Sequence, residues 1–406
     1  MTESKFTYID GGVTAARGFR AAGVHAGFRA NPNRLDCALV VSDGCDTVCC
    51  GMFTQNVFCA APVQVDREIL EKHNPRAVIL NSGNANAATG ELGLAIARKA
   101  ASFTAQELGL PEGDALVAST GVIGVELPWE PFEVGVPELV AKLSKDGGHD
   151  AALAIMTTDT HPKECAVSFE FDGSAYTVGG MVKGSGMIQP NMATMLAVIT
   201  TDMPLSSSDA SAALRQAVDV SFNKVTVDSD TSTNDSVFFF SSCEGASLAD
   251  KDAALTVFAN MLRVVCENLA RQIAADGEGA TKLVTVNVRD AASEADADLA
   301  ARTVANSPLV KTAIAGHDCN WGRIAAALGR SGAKFKQDDV DIDIMGIPVL
   351  RGGLPCGFDE DEALRRFEDP EIVIDISLGT GGGYSTRMWT CDFTHDYISI
   401  NADYRT

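Results

Sequence analysis

One stretch of this chain joins a flexible segment to a buried strand: Lys183-Gly184-Ser185-Gly186-Met187-Ile188-Gln189-Pro190-Asn191-Met192-Ala193-Thr194-Met195-Leu196-Ala197-Val198-Ile199-Thr200. Its first half is rich in glycine and proline, which form tight turns. Its second half is apolar and predicts a strand from about Thr194. A threonine at such a junction is most often a β-branched residue that starts a strand. The alternative is a latent N-terminal nucleophile.

The second interpretation requires a specific reaction at the bond between Ala193 and Thr194. The threonine hydroxyl attacks the preceding carbonyl, an ester forms by an N-to-O acyl shift, and water then cleaves the chain. The new N-terminal amine has an unperturbed pKa of about 7.7–8.0, so it can act as a base near neutral pH. Base and nucleophile then lie on one residue, which fixes their geometry. The small side chain at position 193 leaves the attacked carbonyl open.

Strand-like and helix-like stretches alternate along the rest of the chain. Apolar residues spaced three and four apart predict helices over residues 91–107 and 249–274, the second ended by Gly277 as a left-handed cap. Short apolar or alternating runs predict strands over residues 39–41, 77–80, 283–288, 342–344 and 372–376. This pattern predicts an α/β (α+β) protein with layered sheets.

The composition of the chain limits the kinds of molecule that we expect it to bind. The 406 residues allow two or three domains at about 150 residues each, and 46% hydrophobic with 21% charged residues indicates a globular chain. The net charge of −22 argues against nucleic acid as a partner. We find no apolar run near the roughly 20 residues that span a bilayer. The first five residues contain no signal core, so we expect a cytoplasmic protein that binds no membrane.

Cys45, Cys49 and Cys50 lie close enough in sequence to suggest a metal site, but no second pair lies at zinc-ligand spacing with histidines, so we expect no metal site. The odd number of cysteines in a long chain favours reduced thiols over a disulfide framework. We expect the cysteines to be small buried hydrophobes.

Residues 183–196 resemble the autocleavage and nucleophile motif of the glutamate N-acetyltransferase family, also called the ornithine acetyltransferase family. Residues 225–235 and 400–406 also resemble this family, and so do Leu80-Asn81-Ser82-Gly83-Asn84-Ala85-Asn86-Ala87, Ser119-Thr120-Gly121-Val122-Ile123-Gly124, Met156-Thr157-Thr158-Asp159-Thr160 and Asp276-Gly277-Glu278-Gly279-Ala280-Thr281-Lys282. These motifs follow the expected order over almost the whole length. Several long, ordered motifs match by chance far more rarely than a lone Gly-x-Gly.

The resemblance implies a reaction and an architecture. The precursor cleaves itself into an alpha chain, residues 1–193, and a beta chain, residues 194–406, which stay together and form a heterotetramer of two alpha and two beta chains. The threonine takes the acetyl group from N2-acetylornithine and passes it to glutamate through an acetyl-threonine intermediate. No cofactor is needed, although some members also use acetyl-CoA. The fold implied is a two-domain molecule with layered sheets, similar to that of a related self-processing aminopeptidase.

The resemblance also assigns site residues. Thr194 maps to the nucleophile, and Thr120 and Gly121 map to the oxyanion hole, whose donors stabilise the charge that develops on the attacked carbonyl. We expect Lys183 to bind an anionic group of the substrate and Glu278 a cationic one. The full set of implied substrate-binding residues is Thr157, Lys183, Thr194, Glu278, Asn401 and Thr406.

Two alternatives remain open. One is a related self-processing aminopeptidase or amidohydrolase, in which water instead of glutamate resolves the acyl-enzyme. The other is a non-enzymatic acidic protein that binds phosphate through the glycine-rich residues 379–383. That stretch lacks the Gly-Lys-Ser/Thr ending of a P-loop, so we expect an ordinary turn there.

Overall fold

The computed structural model describes residues 5–189 and 195–403. Its strands are β1 (Phe6–Tyr8), β2 (Phe19–Val24), β3 (Cys37–Ser42), β4 (Val48–Phe53), β5 (Ala77–Asn84), β6 (Ala115–Val122), β7 (Lys163–Phe171), β8 (Ser174–Lys183), β9 (Leu196–Thr201), β10 (Ser236–Ser241), β11 (Leu283–Ala291), β12 (Asp341–Ile344), β13 (Ile347–Arg351), β14 (Leu354–Pro355), β15 (Glu371–Ser377) and β16 (Tyr384–Cys391). Its helices are α1 (Ala61–Leu70), α2 (Gly90–Glu107), α3 (Glu130–Lys142), α4 (Gly148–Ile155), α5 (Ser207–Val220), α6 (Lys251–Ala275), α7 (Glu294–Ala305), α8 (Pro308–Ala315), α9 (Trp321–Gly329), α10 (Glu360–Arg366) and α11 (His395–Asp403).

The described residues divide into two compact units. The first comprises residues 5–189, 195–223 and 230–269, and the second comprises residues 224–229 and 270–403. This division differs from the predicted cleavage, because residues on both sides of positions 193 and 194 belong to the first unit. The alpha and beta chains are a chemical division and stay a prediction.

The first unit contains two sheets, with strand orders β1-β7-β8-β9-β10-β4 and β2-β3-β5-β6. Successive side chains of a strand point to opposite faces, which gives the second of these sheets two apolar sides. Val78 and Leu80 face a core shared with α4 and the six-stranded sheet. Ala77 and Ile79 face a separate core with α2 and α3. The prediction of layered α and β elements is therefore confirmed.

Helix α6 matches the helix predicted over residues 249–274, and it covers the outer face of the six-stranded sheet. Phe258 of α6 meets Phe239 of β10 edge to face, with ring centroids 6.1 Å apart. By length and composition alone α6 could cross a membrane. That is weak evidence, because a core helix meets the same criteria, and Phe258 and Leu262 are fully buried.

The predicted cap of α6 is wrong. Gly277 does not have a positive φ; the nearby glycine that does is Gly279, with φ +69°. A Cβ at Gly277 would lie 2.7 Å from the Sγ of Cys391. Glycine is required at position 277 by close packing against β16, not by a left-handed turn.

The second unit is built on one sheet with strand order β14-β13-β12-β15-β11-β16. The strands predicted over residues 283–288, 342–344 and 372–376 correspond to β11, β12 and β15. Ile372, Ile374 and Ile376 alternate along β15 into a core that also contains Ala301 of α7 and Leu328 of α9. Burial of each such side chain stabilises the unit by about 1.5–3 kcal/mol.

All eleven cysteines lie among the described residues and are free. Burial raises the pKa of the Cys50 and Cys165 thiols to about 12. These thiols are protonated at neutral pH, so they are poor nucleophiles.

Candidate functional site

The structure places the predicted site residues in both units. Thr120 and Gly121 lie near the end of β6, Thr157 follows α4, and Lys183 is the last residue of β8; we call these four the first-unit group. Glu278 follows α6, and Asn401 lies in α11; we call these two the second-unit pair. Ala193, Thr194 and Thr406 lie outside the described residues.

Gly121 occupies a position that only glycine can fill. Strands β5 and β6 are parallel and pair Gly83 with Gly121. Gly121 has φ +134°, and a Cβ there would lie 2.3 Å from the carbonyl carbon of Gly83 and 2.5 Å from the nitrogen of Asn84. Backbone cannot give way as a flexible side chain can. The predicted oxyanion residue therefore lies where the backbones of two strands touch.

Buried polar contacts hold the ends of β5 and β6 in place. The amide of Asn234 donates to the carbonyl oxygens of Ala85, at 2.5 Å, and Ser119, at 2.9 Å. The hydroxyl of Ser119 donates to Oδ1 of Asn81 at 2.7 Å. A buried polar group is destabilising unless it is hydrogen-bonded, so these contacts fix one arrangement. They bring together three stretches that resemble the same family.

Asp159 connects the two other members of the first-unit group. Its Oδ2 accepts a hydrogen bond from the backbone N–H of Thr157 at 2.8 Å. Its Oδ1 accepts from the backbone N–H of Gly184 at 2.7 Å and from Nζ of Lys163 at 2.7 Å. Lys163 and Asp159 have fully buried side chains, and Lys183 is only 8% exposed.

The electrostatics of this cluster keep the carboxylate ionised. Burial alone would raise the pKa of Asp159, but the ammonium groups of Lys183 and Lys163 outweigh burial. The pKa of Asp159 is therefore held well below its usual range. Two cations and one anion share this buried region, which suits the binding of a negatively charged group.

Two arginines hydrogen-bond to backbone carbonyl oxygens in the segment that contains Thr157. Nη2 of Arg34 donates to the carbonyl oxygen of Thr157 at 3.1 Å. Arg29 donates from Nη2 to the carbonyl oxygen of Met156 at 2.5 Å and from Nε to the hydroxyl of Ser82 at 3.1 Å. Ser82 pairs with Thr120 in the sheet. Thr157 is thereby connected to the strand ends that carry Thr120 and Gly121.

A cavity of about 280 Å³ opens beside these strand ends. Ala87, Ile123, Met187 and Thr231 line it, and each belongs to a stretch that resembles the same family. Six of the nine residues that line the cavity belong to stretches that resemble this family, whereas Asn56, Phe58 and Ala88 do not.

In the second unit, Glu278 is bound by Asn401. The amide of Asn401 donates to Oε2 of Glu278 at 2.7 Å, and Glu278 is only 6% exposed. Oδ1 of Asp392 accepts hydrogen bonds from the backbone N–H groups of Thr281 and Lys282, at 2.8 and 3.0 Å. These contacts hold the loop that carries Glu278 and bring two predicted substrate-binding residues together.

Asp159 and Lys163 are not among the predicted site residues. Asp159 lies within a quoted motif, and the two residues have the i, i+4 spacing of a possible ion pair. That spacing is common on protein surfaces, so it does not reveal that this pair is buried beside Lys183.

Neither a metal site nor the phosphate-binding alternative is supported by the described residues. Among residues 5–189 and 195–403, no group of three or more His, Cys, Asp or Glu is placed to hold a metal ion. The glycine-rich residues 379–383 join β15 to β16, and Gly383 donates its N–H to Oδ1 of Asp290. A carboxylate in this turn repels phosphate.

The chain is similar to proteins of arginine biosynthesis. A family model described as the ArgJ family matches residues 20–406. The arginine biosynthesis bifunctional protein ArgJ of Thermosynechococcus vestitus is 46% identical, over 99% of this chain and 100% of the relative. The crystal structure of arginine biosynthesis bifunctional protein argJ from Bacillus halodurans is 42% identical and covers 52% of this chain and 100% of that chain, with a TM-score of 0.50. Ornithine acetyltransferase from Mycobacterium tuberculosis, solved with ornithine, is 40% identical and covers 47% of this chain and 100% of that chain, with a TM-score of 0.43.

Proposed function

Because this chain belongs to the ArgJ family, we propose that it transfers the acetyl group of N2-acetylornithine to glutamate in arginine biosynthesis. The observation that carries the proposal is the family match over residues 20–406. The relative from Mycobacterium tuberculosis, 40% identical over its whole length, is named ornithine acetyltransferase, which agrees with this reaction.

The proposal includes self-cleavage between Ala193 and Thr194. The predicted beta chain, residues 194–406, makes up about 52% of the sequence. The Bacillus halodurans chain is covered completely by 52% of this chain. A separate chain of that length supports the predicted cleavage.

In the proposed reaction, the hydroxyl of Thr194 attacks the acetyl carbonyl of N2-acetylornithine, and the α-amine of Thr194 accepts the hydroxyl proton. The C–N bond breaks, ornithine leaves with that proton on its nitrogen, and the acetyl group remains as an ester. The neutral amine of glutamate then attacks the ester, the C–O bond breaks, and a proton from the glutamate nitrogen passes through the α-amine of Thr194 to the threonine oxygen, which restores the hydroxyl. Thr120 and Gly121 donate to the carbonyl oxygen in both steps.

The charge of each predicted residue indicates which group of the substrate it binds. Lys183, buried beside Asp159, binds a carboxylate of the substrate, and Thr157 binds next to it. Glu278 binds the side-chain ammonium of ornithine, with Asn401 holding its carboxylate in place. Thr406 completes the proposed set. The same charges favour a substrate with a carboxylate, which argues for amino-acid substrates.

Three further parts of the proposal concern assembly, location and a second activity. The two alpha and two beta chains form a heterotetramer, and the enzyme works in the cytoplasm without a cofactor. The word bifunctional in the name of the relatives supports a second activity, the acetylation of glutamate by acetyl-CoA.

The test is an assay of the purified, cleaved protein with N2-acetylornithine, with and without glutamate. We expect ornithine and N-acetylglutamate in equal amounts when both substrates are present, and little acetate without glutamate. Release of free acetate at the same rate without glutamate would contradict acetyl transfer and favour the amidohydrolase alternative.

A further inference from the structure

We infer that Asp159 is a positioning residue of the proposed active site, which fixes the backbone at Thr157 and Gly184 and thereby holds Lys183 beside Thr157. The inference rests on the proposed function, since Thr157 and Lys183 are its proposed substrate-binding residues. Asp159 itself touches no reacting atom in this account.

The geometry that carries the inference is a single carboxylate shared by two chain segments. Oδ2 accepts from the N–H of Thr157 at 2.8 Å, and Oδ1 accepts from the N–H of Gly184 at 2.7 Å. Gly184 directly follows Lys183, so this bond sets where β8 ends. A shift of this segment therefore moves Lys183 relative to Thr157.

A second substitution at Lys163 makes it possible to test the positioning role of Asp159 separately from its contribution to charge balance. Its Nζ lies 2.7 Å from Oδ1 of Asp159, and both side chains are fully buried. Replacing Asp159 alone leaves the ammonium groups of Lys163 and Lys183 without this anion, which destabilises the fold. Replacing both members of the ion pair preserves the summed charge and still removes the carboxylate that holds Thr157 and Gly184.

The opposite end of β8 supplies a matched control. Asp202 is also buried, and it accepts from the N–H of Thr177 at 2.9 Å and from Nε of Arg17 at 2.6 Å. Asp202 therefore combines a cation and a backbone N–H, as Asp159 does. None of the predicted site residues lies in this contact.

The experiment compares Asp159→Asn, Asp159→Asn with Lys163→Met, and Asp202→Asn in the full chain. Thermal unfolding measures folding, intact mass measures self-cleavage, and steady-state kinetics with N2-acetylornithine and glutamate are expressed per cleaved molecule. The unsubstituted protein is assayed first, so that absence of acetyl transfer there counts against the proposed function and not against the role of Asp159.

We expect the double variant to fold and to raise KM for N2-acetylornithine about tenfold or more, with kcat less affected, because the binding groups are displaced in the ground state and the transition state alike. A double variant that folds but does not cleave also supports the inference, because Gly184 begins the segment that leads to position 193. Asp202→Asn should keep KM within about twofold. Unchanged KM and cleavage in the double variant would overturn the inference, and so would a double variant that fails to fold, since Asp159 would then serve stability alone.

Discussion

The first-unit group and the second-unit pair are held in different ways. In the first unit, Gly121 is packed against backbone, and Thr157 and Lys183 are held through buried Asp159. In the second unit, Glu278 is bound by Asn401, which lies on α11, and none of residues 395–403 is buried. The core therefore preorganises the first-unit group, whereas a terminal helix completes the second-unit pair. Substitutions should have larger effects in the first, and smaller, more charge-selective effects in the second.

Among substitutions in the first-unit group and the second-unit pair, the largest effect is expected for Gly121→Ala. The new Cβ would lie 2.3 Å from backbone and force the strand ends apart, so kcat should fall roughly 100- to 1,000-fold, as for the loss of an oxyanion donor. Gly124→Ala is the control, because a Cβ there meets nothing within 4 Å and only the positive φ is strained. Steady-state kinetics of the two variants test this, and equal activity in both would remove the argument for preorganisation.

Glu278→Gln should affect one substrate selectively. The substitution keeps the size and one oxygen but loses the charge, so kcat/KM for N2-acetylornithine should fall roughly 10- to 100-fold, as for a lost charge-assisted hydrogen bond. N-acetylnorleucine, which carries a methyl group in place of the ammonium, should lose far less. Equal losses for the two substrates would refute the assignment of Glu278 to the cationic group.

Shortening the C-terminus should have a moderate effect. Removal of residues 401–406 deletes Asn401 and Thr406 together, so KM should rise roughly 3- to 10-fold, because the hydrogen bond that positions the Glu278 carboxylate is lost while the charge of Glu278 remains. Removal of residues 404–406 alone isolates the contribution of Thr406. The kinetics of both truncated proteins provide the measurement. Kinetics that stay the same after the longer deletion would show that α11 does not complete the site.

The smallest effect is expected for stability at low pH. The pKa of Asp159 is lower in the folded protein than the value of about 3.9 for an unfolded chain, so its carboxylate stabilises the fold above about pH 4. This stabilisation is lost as the pH falls below about 4. The difference in melting temperature between the unsubstituted protein and Asp159→Asn should therefore shrink below that pH. A difference that stays constant from pH 7 to pH 3 would contradict an ionised Asp159.

In the same unit, the pKa of Asp66 is shifted in the opposite direction from that of Asp159. It is fully buried, and burial raises its pKa well above the usual value despite a hydrogen bond from the N–H of Val117. Asp66 therefore binds its proton more tightly in the folded protein, and this reduces stability as the pH rises above about 4. Asp66→Asn should raise the melting temperature at pH 7, with a gain that disappears towards pH 4.

Local patterns in the sequence predicted much of the fold. Apolar residues alternate along β15 and are spaced three and four apart in α6, and each pattern indicates which face of the element is buried. Both elements could therefore be predicted. The cap at Gly277 was wrong because its glycine is required by contact with Cys391, far away along the chain. Helix and turn propensities depend on residues close in sequence, whereas the contact between Gly277 and Cys391 depends on the tertiary fold.

The site could be predicted as a set of residue types but not as a set of contacts. The motifs indicated Thr157, Lys183 and Glu278 through their resemblance and their charge. The role of Asp159 depends on the N–H of Gly184, 25 residues away, and the support of Ser119 depends on Asn234, 115 residues away. Such pairings arise only when the sheets assemble.

The most direct test of the account is the intact mass of the purified chain and of its Thr194→Ala variant. We expect the unsubstituted 42.6 kDa chain to yield two fragments, one ending at Ala193 and one starting at Thr194, and to transfer acetyl groups. The variant should keep its full mass and form no N-acetylglutamate. Cleavage and turnover that persist in the variant would contradict a threonine nucleophile at this position.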